Sequence, residues 1–229
     1  GQKMFFTSDT HFGHSNLCRA TTKWKNADRV TRDFKSLEAM NYLILKNIND
    51  VVGVNDILIH LGDFSFGGIE NIAKFRLQIK CKNIYLIYGN HDHHIENNAI
   101  IPGFWLDGED EVRDYKTFEY GDSRDDLFTV TTQDLFIDTF PYLELSVDTA
   151  KNTKNKKFIL FHYPIASWKD LNKDVMHLFG HVHLGKEQRF CGGKSMDVGV
   201  EGNDFKPYEL SEVLELIEGR EIDRLALPK

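Results

Sequence analysis

Ten histidines are the first chemical feature of this 229-residue sequence, because all of them fall within five short windows. Each window lies at or just after an apolar run that predicts a buried strand: residues 4–7, 57–61, 84–88, 158–161 and 175–179. The carboxyl ends of parallel strands meet at one edge of an α/β sheet, where ligands bind. Histidines scattered through a core would not repeat in this way, so the windows predict one shared site.

The windows supply nitrogen and oxygen ligands but no sulfur. The motifs at the centre of the windows are Ser8-Asp9-Thr10-His11, Leu61-Gly62-Asp63-Phe64, Gly89-Asn90-His91-Asp92, Phe161-His162-Tyr163-Pro164 and Gly180-His181-Val182-His183. Such mixed sets suit Mn, Fe, Zn or Ni, and one carboxylate can bridge two ions. The Asp-x-His and His-x-His spacings place both side chains of a pair on the same side of an extended segment. A glycine before three of these ligands lets the backbone turn sharply and lets a ligand come close.

The five motifs, in this order, resemble those of the calcineurin-like metallophosphoesterases, which are marked by D-x-H, G-D, G-N-H-[DE], a lone His and G-H-x-H. The resemblance covers roughly residues 4–200. The sequences of residues 7–14 and 197–200 are similar to those of a compact bacterial and phage subgroup of the family. It implies a four-layer α/β/β/α sandwich with a dinuclear metal site at the carboxyl ends of the strands. Phe66 departs from the family, which often has a second acid there, in G-D-x-x-D.

The resemblance also implies a role for each motif residue. The first metal would be held by Asp9, His11, Asp63 and His183, and the second by Asp63, Asn90, His162 and His181. Asp63 would bridge two divalent transition-metal ions, with Mn expected and Fe, Zn or Ni as alternatives. A hydroxide between the ions would attack the phosphorus in line. His91 would protonate the leaving oxygen, and Asp92 would orient His91 and favour its charged form.

Several residues keep two interpretations. His14 contacts substrate phosphate or a metal ligand, or it is a turn residue bonded to the backbone; Asn90 and Arg19 are further candidate substrate contacts. His60 and His177 are partners of ligands or satisfied core histidines. His93 and His94 are exposed loop residues or touch substrate. Trp24 either stacks on a base beside a phosphate-binding patch or packs within a solvated loop.

The elements that must position these residues alternate strand, helix, strand, helix and strand over the first ninety residues. Ser36 is a candidate N-cap for a helix whose apolar stripe includes Met40 and Ile44. A second helix is predicted around residues 69–77 and a terminal helix behind Ser211. Residues 112–148 predict shorter strands in an antiparallel section, and 151–157 predicts a solvated turn or, as an alternative, a basic patch.

Composition narrows the class of protein. The chain is 41% hydrophobic and 28% charged, which are globular proportions, and no apolar run approaches the ~20 residues of a membrane span. Its three cysteines are odd in number and widely spaced, so they predict neither disulfides nor a thiolate site. We therefore expect one domain over residues 1–229, in the cytoplasm and without a membrane partner.

The charge bears on the substrate. The net charge is −7, yet segment 15–36 has six basic residues against two acids, and segment 107–126 has nine acids against three bases. We predict a phosphoesterase acting on a phosphodiester or nucleotide-type ester. One alternative is a nuclease acting on DNA or RNA ends, which the basic segment favours and the acidic segment opposes. The other is a non-catalytic scaffold for a protein partner, although such relatives typically lose ligands that this chain retains.

Overall fold

The structure is a computed structural model that describes residues 1–25, 31–106, 112–114, 128–148, 155–186, 188–190 and 192–221. Its strands are β1 (Met4–Thr7), β2 (Ile57–His60), β3 (Asn83–Ile87), β4 (Ile100–Leu106), β5 (Val112–Asp114), β6 (Phe128–Thr131), β7 (Asp138–Phe140), β8 (Leu143–Val147), β9 (Lys156–Leu160), β10 (Met176–Phe179), β11 (Ser195–Asp197) and β12 (Tyr208–Glu209). Its α-helices are α1 (Leu37–Val51), α2 (Ile69–Arg76), α3 (His93–Glu96) and α4 (Leu210–Ile217).

The first sheet has the spatial order β12-β1-β2-β3-β7. The four strands from β1 to β7 are parallel, and β12 runs antiparallel to β1. Helix α1 follows β1, and its predicted cap is confirmed because the Ser36 hydroxyl accepts a hydrogen bond from Ala39 N at 3.0 Å. The apolar stripe of α1 buries Met40, Ile44 and Ile48 against this sheet. The predicted strand–helix order of the first ninety residues is therefore confirmed.

The second sheet has the order β11-β10-β9-β8, with β9, β10 and β11 parallel and β8 antiparallel to β9. The two sheets share a core in which the Phe6 and Phe158 ring centroids lie 5.8 Å apart. Helix α4 closes one edge of that core. It begins one residue before Ser211, because the cap is Glu209 in a reciprocal capping box with Glu212.

The layers follow from the buried faces of the two sheets. Helices α1 and α2 cover the outer face of the first sheet, and the shared core lies between the sheets. The outer face of the second sheet is covered by a segment holding Trp168, Leu171 and Val175, whose helical part in the described ranges is one 3₁₀ turn, Leu171–Lys173. The expected sandwich is confirmed, with a thinner fourth layer than two long helices would make.

The antiparallel section predicted for 112–148 is distributed among all three sheets. Strands β5 and β6 pair antiparallel with β4, forming a small third sheet, and β8 pairs antiparallel with β9. Strand β7 is an exception, because it adds to the first sheet parallel to β3. The strand expected at Phe136 and Ile137 begins two residues later, since Phe136 turns inward to the core at the end of a 3₁₀ turn.

Some of the predictions concern segments that lie partly outside the described residues. Most of the acidic segment 107–126 and residues 151–154 of the predicted turn lie outside them, whereas Lys156 and Lys157 belong to β9. Cys18 and Cys81 are buried and free, and Cys191 lies outside the described residues. None of the helices in the described ranges is long and apolar enough to cross a bilayer. The single domain over 1–229 stays a prediction.

Candidate dinuclear metal centre

The candidate ligands occupy turns that leave the carboxyl ends of strands in both sheets. Five of them adopt left-handed backbone conformations, with φ of 56° at Asp9, 47° at His11, 56° at Asp63, 72° at His181 and 51° at His183. This conformation is uncommon for residues with a side chain, and its strain clusters at functional sites. The local fold holds these backbones strained in order to direct their side chains together.

The first ligand group consists of Asp9, His11 and His183, whose ligand atoms lie within 4.8 Å of one another. Asp9 Oδ1 is 3.6 Å from His11 Nε2 and 3.5 Å from His183 Nε2. The two Nε2 atoms are 3.2 Å apart. Asp9 and His11 are buried and His183 is half-buried, so this group faces outward through His183.

The second ligand group consists of Asp63, His162 and His181, again with ligand atoms within 4.8 Å. Asn90 completes it, because its Oδ1 lies 3.2 Å from His162 Nε2 and 2.9 Å from His181 Nδ1. His162 is fully buried, whereas Asn90 and His181 are exposed. These groups bring together the seven residues predicted as ligands.

Asp63 lies between the two groups. Its Oδ2 is 3.5 Å from His11 Nε2 in the first group and 3.5 Å from His162 Nε2 in the second. Its other oxygen, Oδ1, accepts the backbone N–H of His91 at 2.8 Å, which fixes the carboxylate between the groups. This is the position that a bridging carboxylate requires.

Two glycines let the strand ends approach closely enough to build the centre. A Cβ at Gly89 would lie 2.3 Å from Asp63 Oδ1, and one at Gly180 would lie 2.0 Å from Ser8 Oγ and 2.3 Å from Asp9 Oδ2. A methyl group at either position would therefore displace a ligand carboxylate or its neighbour. The glycines before Asn90 and His181 have the steric role predicted for them.

The electrostatics of the centre fit cations. Burial acts to raise the pKa of Asp9 and of Asp63, yet neighbouring histidines outweigh it and hold both pKa values below their usual range. Burial acts to lower the pKa of His162, but the Asp63 carboxylate raises it to about 9. Asp9 Oδ1 is buried without a hydrogen-bond partner among the described residues. Two buried carboxylates and an oxygen lacking a donor, beside four imidazoles, suit two divalent transition-metal ions.

Glu201 and Arg32 support the first group, and sequence reasoning missed both roles. Glu201 Oε1 accepts a hydrogen bond from His183 Nδ1 at 2.7 Å and from Arg32 Nε at 2.7 Å. Such a carboxylate behind a ligand histidine fixes its tautomer and ring orientation. Arg32 is also buried and donates to the carbonyl oxygens of Asp9 and Thr10. Burial acts to raise the pKa of Glu201, but the Arg32 charge and His183 lower it to about 2.

Arg32 thus lies inside the site and does not belong to an exposed basic patch. The sequence signal for Glu201 was its place directly after the D-V-G-V motif. Asp197, in that motif, accepts hydrogen bonds from Gly199 N at 2.6 Å and Leu184 N at 3.0 Å. It therefore ties the loop after His183 to the loop before Glu201. Burial, reinforced by the Asp9 charge, raises the pKa of Asp197 to about 7.

Asp92 differs from its predicted role as the partner of the His91 ring. Its Oδ2 accepts backbone hydrogen bonds from Asp63 N at 2.7 Å and Gly89 N at 2.8 Å, and its Oδ1 accepts one from Phe64 N at 3.0 Å. The buried carboxylate is occupied by these donors and holds the turns after β2 and β3 together. Burial, followed by the Asp63 charge, raises the pKa of Asp92 to about 7.

His91 and His14 lie beside the first ligand group. The His91 ring centroid is 5.5 Å from that of His11, and the His14 centroid is 5.4 Å from it. His91 is half-buried, whereas His14 is 8% exposed and its Nδ1 has no hydrogen-bond partner among the described residues. One interpretation of His14 was a turn residue whose ring is hydrogen-bonded to the backbone, and no such bond is present at Nδ1 among the described residues. Burial, followed by the His11 charge, lowers the pKa of His14 to about 4.

His60 and His177 are satisfied core histidines. His60 Nδ1 accepts from Gly62 N at 3.2 Å, and its Nε2 lies 2.9 Å from Thr10 Oγ1. His177 Nδ1 donates to Ile159 O at 3.0 Å, and its Nε2 accepts from Ile165 N at 3.3 Å. Burial lowers the pKa of His60 to about 3 and that of His177 to about 4. Neither belongs to a ligand group; His93 and His94 begin the short helix α3.

Arg19, a predicted substrate contact, has a partner outside both ligand groups. Its Nη1 lies 3.2 Å from Asp33 Oδ1, and its backbone N–H donates to Arg32 O at 2.9 Å. Trp24 is 41% exposed, and its ring centroid lies 5.8 Å from that of His14. Trp24 thus lies near the candidate centre, beside His14, whereas the guanidinium of Arg19 pairs with the exposed Asp33.

An α/β sandwich with two His/Asp ligand groups at its strand ends, sharing a central carboxylate, is typical of two-metal hydrolases, a class that includes phosphatases and nucleases. The chain belongs to the calcineurin-like phosphoesterase family, whose model matches residues 3–185.

Two known proteins are similar over nearly the whole chain, one in sequence and one in fold. This chain is 28% identical over 230 residues to the uncharacterized protein MJ1445 of Methanocaldococcus jannaschii, and the match covers 97% of this chain and 96% of MJ1445. The fold of this chain is similar to the crystal structure of a protein of unknown function, AQ665, from Aquifex aeolicus. That similarity has a TM-score of 0.54 at 21% identity and covers 95% of this chain and 100% of the other.

Proposed function

We propose that this protein hydrolyses a phosphodiester or nucleotide-type phosphate ester with a pair of divalent metal ions, Mn expected. The observation that carries the proposal is the position of Asp63 Oδ2, 3.5 Å from a ligand nitrogen of each group. Two ions there would lower the pKa of a water molecule and offset the charge of the phosphoryl oxygens. The carboxylates and histidines of both groups would hold the ions, and Asn90 would contact the second ion and the substrate.

His91 is proposed as the proton donor to the leaving oxygen. Its backbone is fixed by Asp63 Oδ1, and its ring is adjacent to His11 without belonging to either ligand group. A positioned general acid contributes about 10²–10⁴-fold, and less when the leaving group is already acidic. His91→Ala should therefore impair esters with alkyl or nucleoside leaving groups more than p-nitrophenyl esters, with metal content unchanged. Equal losses across leaving groups, or loss of a metal, would reassign His91 to binding.

The alternatives receive less support. The nuclease alternative depended on the basic segment 15–36, but Arg32 is buried against Glu201 and Arg19 is paired with Asp33. Arg29 lies outside the described residues. A scaffold would not need the five strained ligand backbones, which this chain retains.

The test of the proposed function is hydrolysis by metal-depleted and Mn-reconstituted protein. The esters are bis-p-nitrophenyl phosphate and p-nitrophenyl phosphate, followed by cyclic nucleotides and single-stranded oligonucleotides. We expect diester hydrolysis to appear with Mn and to disappear after chelation and in His162→Ala. The matched control is His93→Ala, which removes an exposed histidine outside both ligand groups. An Mn-loaded wild type that hydrolyses none of these esters would contradict the proposal.

A further inference from the structure

Two large aromatic side chains are exposed beside the first ligand group. Trp24 and Phe66 are each 41% exposed, and both contact His14, whose ring centroid is 5.8 Å from that of Trp24 and 4.2 Å from that of Phe66. We call these three residues the aromatic wall. Single exposed apolar residues are ordinary, but here two exposed rings pack on the same buried histidine.

Within the aromatic wall, Phe66 is held in place by its backbone. Phe66 N donates to Phe12 O at 2.8 Å, and Phe66 O accepts from Asn71 Nδ2 at 2.7 Å. The chain then turns away through Gly67 at φ of 98°, where a Cβ would lie 2.5 Å from the same Asn71 nitrogen. Phe66 is therefore rigid at the backbone although its ring faces solvent. A ligand meeting such a surface loses little affinity to ordering the protein.

The position of the aromatic wall relates it to the reaction. The Phe66 ring centroid lies 5.3 Å from that of His91, the proposed proton donor. The ring centroids of His91 and His14 lie 6.1 Å apart. A group attached to the oxygen that His91 protonates would therefore lie next to Phe66.

The charges nearby favour a single ring over a polyanionic strand. Proteins that bind single-stranded nucleic acid combine stacking aromatics with a positively charged groove along the backbone. Among the described residues of segment 15–36, Arg19 and Arg32 are engaged with Asp33 and Glu201, which leaves Lys23, Lys25 and Lys35 as the remaining cations. In the described part of this segment, the two exposed rings are accompanied by only these three lysines, which favours one stacked ring over a long polyanion.

We propose that Trp24 and Phe66 form a subsite for a planar ring of nucleobase size, carried by the alcohol side of the phosphate ester. This inference rests on the proposed function and names its substrate class as a nucleotide ester. Stacking of the ring on Phe66 and Trp24 supplies the selectivity, while the ligand groups bind the phosphate. The two residues are specificity determinants and take no part in bond cleavage.

The test compares two compounds that share a sugar phosphate and differ by the base, adenosine 5′-monophosphate and ribose 5-phosphate. Their binding to the Mn-loaded full chain is measured by calorimetry, and chromatography afterwards detects hydrolysis. If either compound is hydrolysed, the ratio of the two kcat/KM values replaces the ratio of the two affinities. We expect the nucleotide to bind about 5- to 100-fold more tightly, the range that stacking of one base provides. Phe66→Ala and Trp24→Ala should each reduce this ratio at least several-fold and leave ribose 5-phosphate binding unchanged.

Two variants serve as comparisons. Phe66→Leu keeps apolar bulk but removes the ring, so it should reduce the ratio nearly as much as Phe66→Ala. Phe190→Ala removes another exposed phenylalanine, which lines a separate cavity near α4, and should change neither affinity.

Equal affinities for the two compounds in wild type, or variants that weaken both equally, would overturn the subsite. Much tighter binding of a short oligothymidylate, lost in Trp24→Ala, would overturn the single-ring assignment in favour of a strand. If neither compound binds, the subsite is overturned, and the ester assays separately decide whether phosphoesterase activity fails with it.

Discussion

Replacing Glu201 by Gln should weaken the folded state and the first metal site together, because one carboxylate oxygen binds both the buried Arg32 and the half-buried His183. Glu201 Oε1 lies 2.7 Å from His183 Nδ1 and 2.6 Å from Arg32 Nη2. Gln has nearly the same shape but no charge. The Arg32 side chain, only 2% exposed, would then keep its charge in the interior without a counter-ion.

The size of the loss in unfolding free energy depends on the hydrogen bonds that Arg32 would keep. Removing one partner of a buried ion pair costs about 3–5 kcal/mol, because it leaves an uncompensated charge. Arg32 keeps the carbonyl oxygens of Thr10 and Asp9 as acceptors, so we expect the lower end, about 3 kcal/mol. Losing the carboxylate that orients His183 should lower metal affinity by about 10–100-fold.

The assay is a double-mutant cycle. Urea unfolding of the metal-free protein gives the stability of Glu201→Gln, Arg32→Met and the double mutant, and competition with a chelating dye gives Mn affinity. The double mutant should be more stable than the sum of the single changes predicts, since it buries no lone charge. The exposed Glu215→Gln is the matched control. The reasoning fails if Glu201→Gln costs less than about 0.5 kcal/mol and the cycle is additive.

Three further predictions concern single residues. Gly180→Ala should lower the unfolding free energy by about 1–3 kcal/mol, because the added Cβ would clash with Ser8 and Asp9. Gly219→Ala should leave the unfolding free energy unchanged, because a Cβ there meets nothing within 4 Å. Equal urea midpoints for the two variants would contradict the close contact of Gly180 with Ser8 and Asp9. Burial lowers the pKa of His177 to about 4 in the folded chain. Between this value and the ordinary pKa, His177 is protonated in the unfolded chain but not in the folded one, so the free energy of unfolding falls as pH falls through this window. Wild type should lose about 2 kcal/mol from this group between pH 7.5 and 5, and parallel pH curves for wild type and His177→Gln would refute this. Asp92→Asn should cost about 1–3 kcal/mol in urea unfolding, because its amide would face a backbone donor; an unchanged midpoint would restore the idea that Asp92 serves His91.

The sequence predicted the fold best where hydrophobic pattern and local capping coincide. The strand at 4–7 and the helix capped by Ser36 are correct because a buried apolar run and an N-cap are both local signals. Strands β4, β11 and β12 were missed. The first is interrupted by Pro102 and Gly103, a pair that predicts a turn, and the other two have three and two residues and depend on neighbouring strands for pairing. Strand β7 was expected to be antiparallel, but long-range pairing with β3 decides its direction.

The ligands could be predicted because their motifs are contiguous, whereas their supports could not. Glu201 and His183 are 18 positions apart, and Arg32 and Glu201 are 169 apart, so only the folded chain brings them together. The Asp92 prediction took the nearest imidazole as its partner. In the structure, three backbone N–H groups occupy the carboxylate, because the turns after β2 and β3 expose donors that need a buried acceptor.

The most direct test of the central claim is anomalous diffraction from crystals of the Mn-reconstituted protein. We predict two manganese peaks about 3.5–4 Å apart, with the Asp63 carboxylate between them. One ion should lie among Asp9, His11 and His183, and the other among His162, His181 and Asn90. A single peak, or two peaks with Asp63 bound to only one of them, would contradict the bridged dinuclear centre.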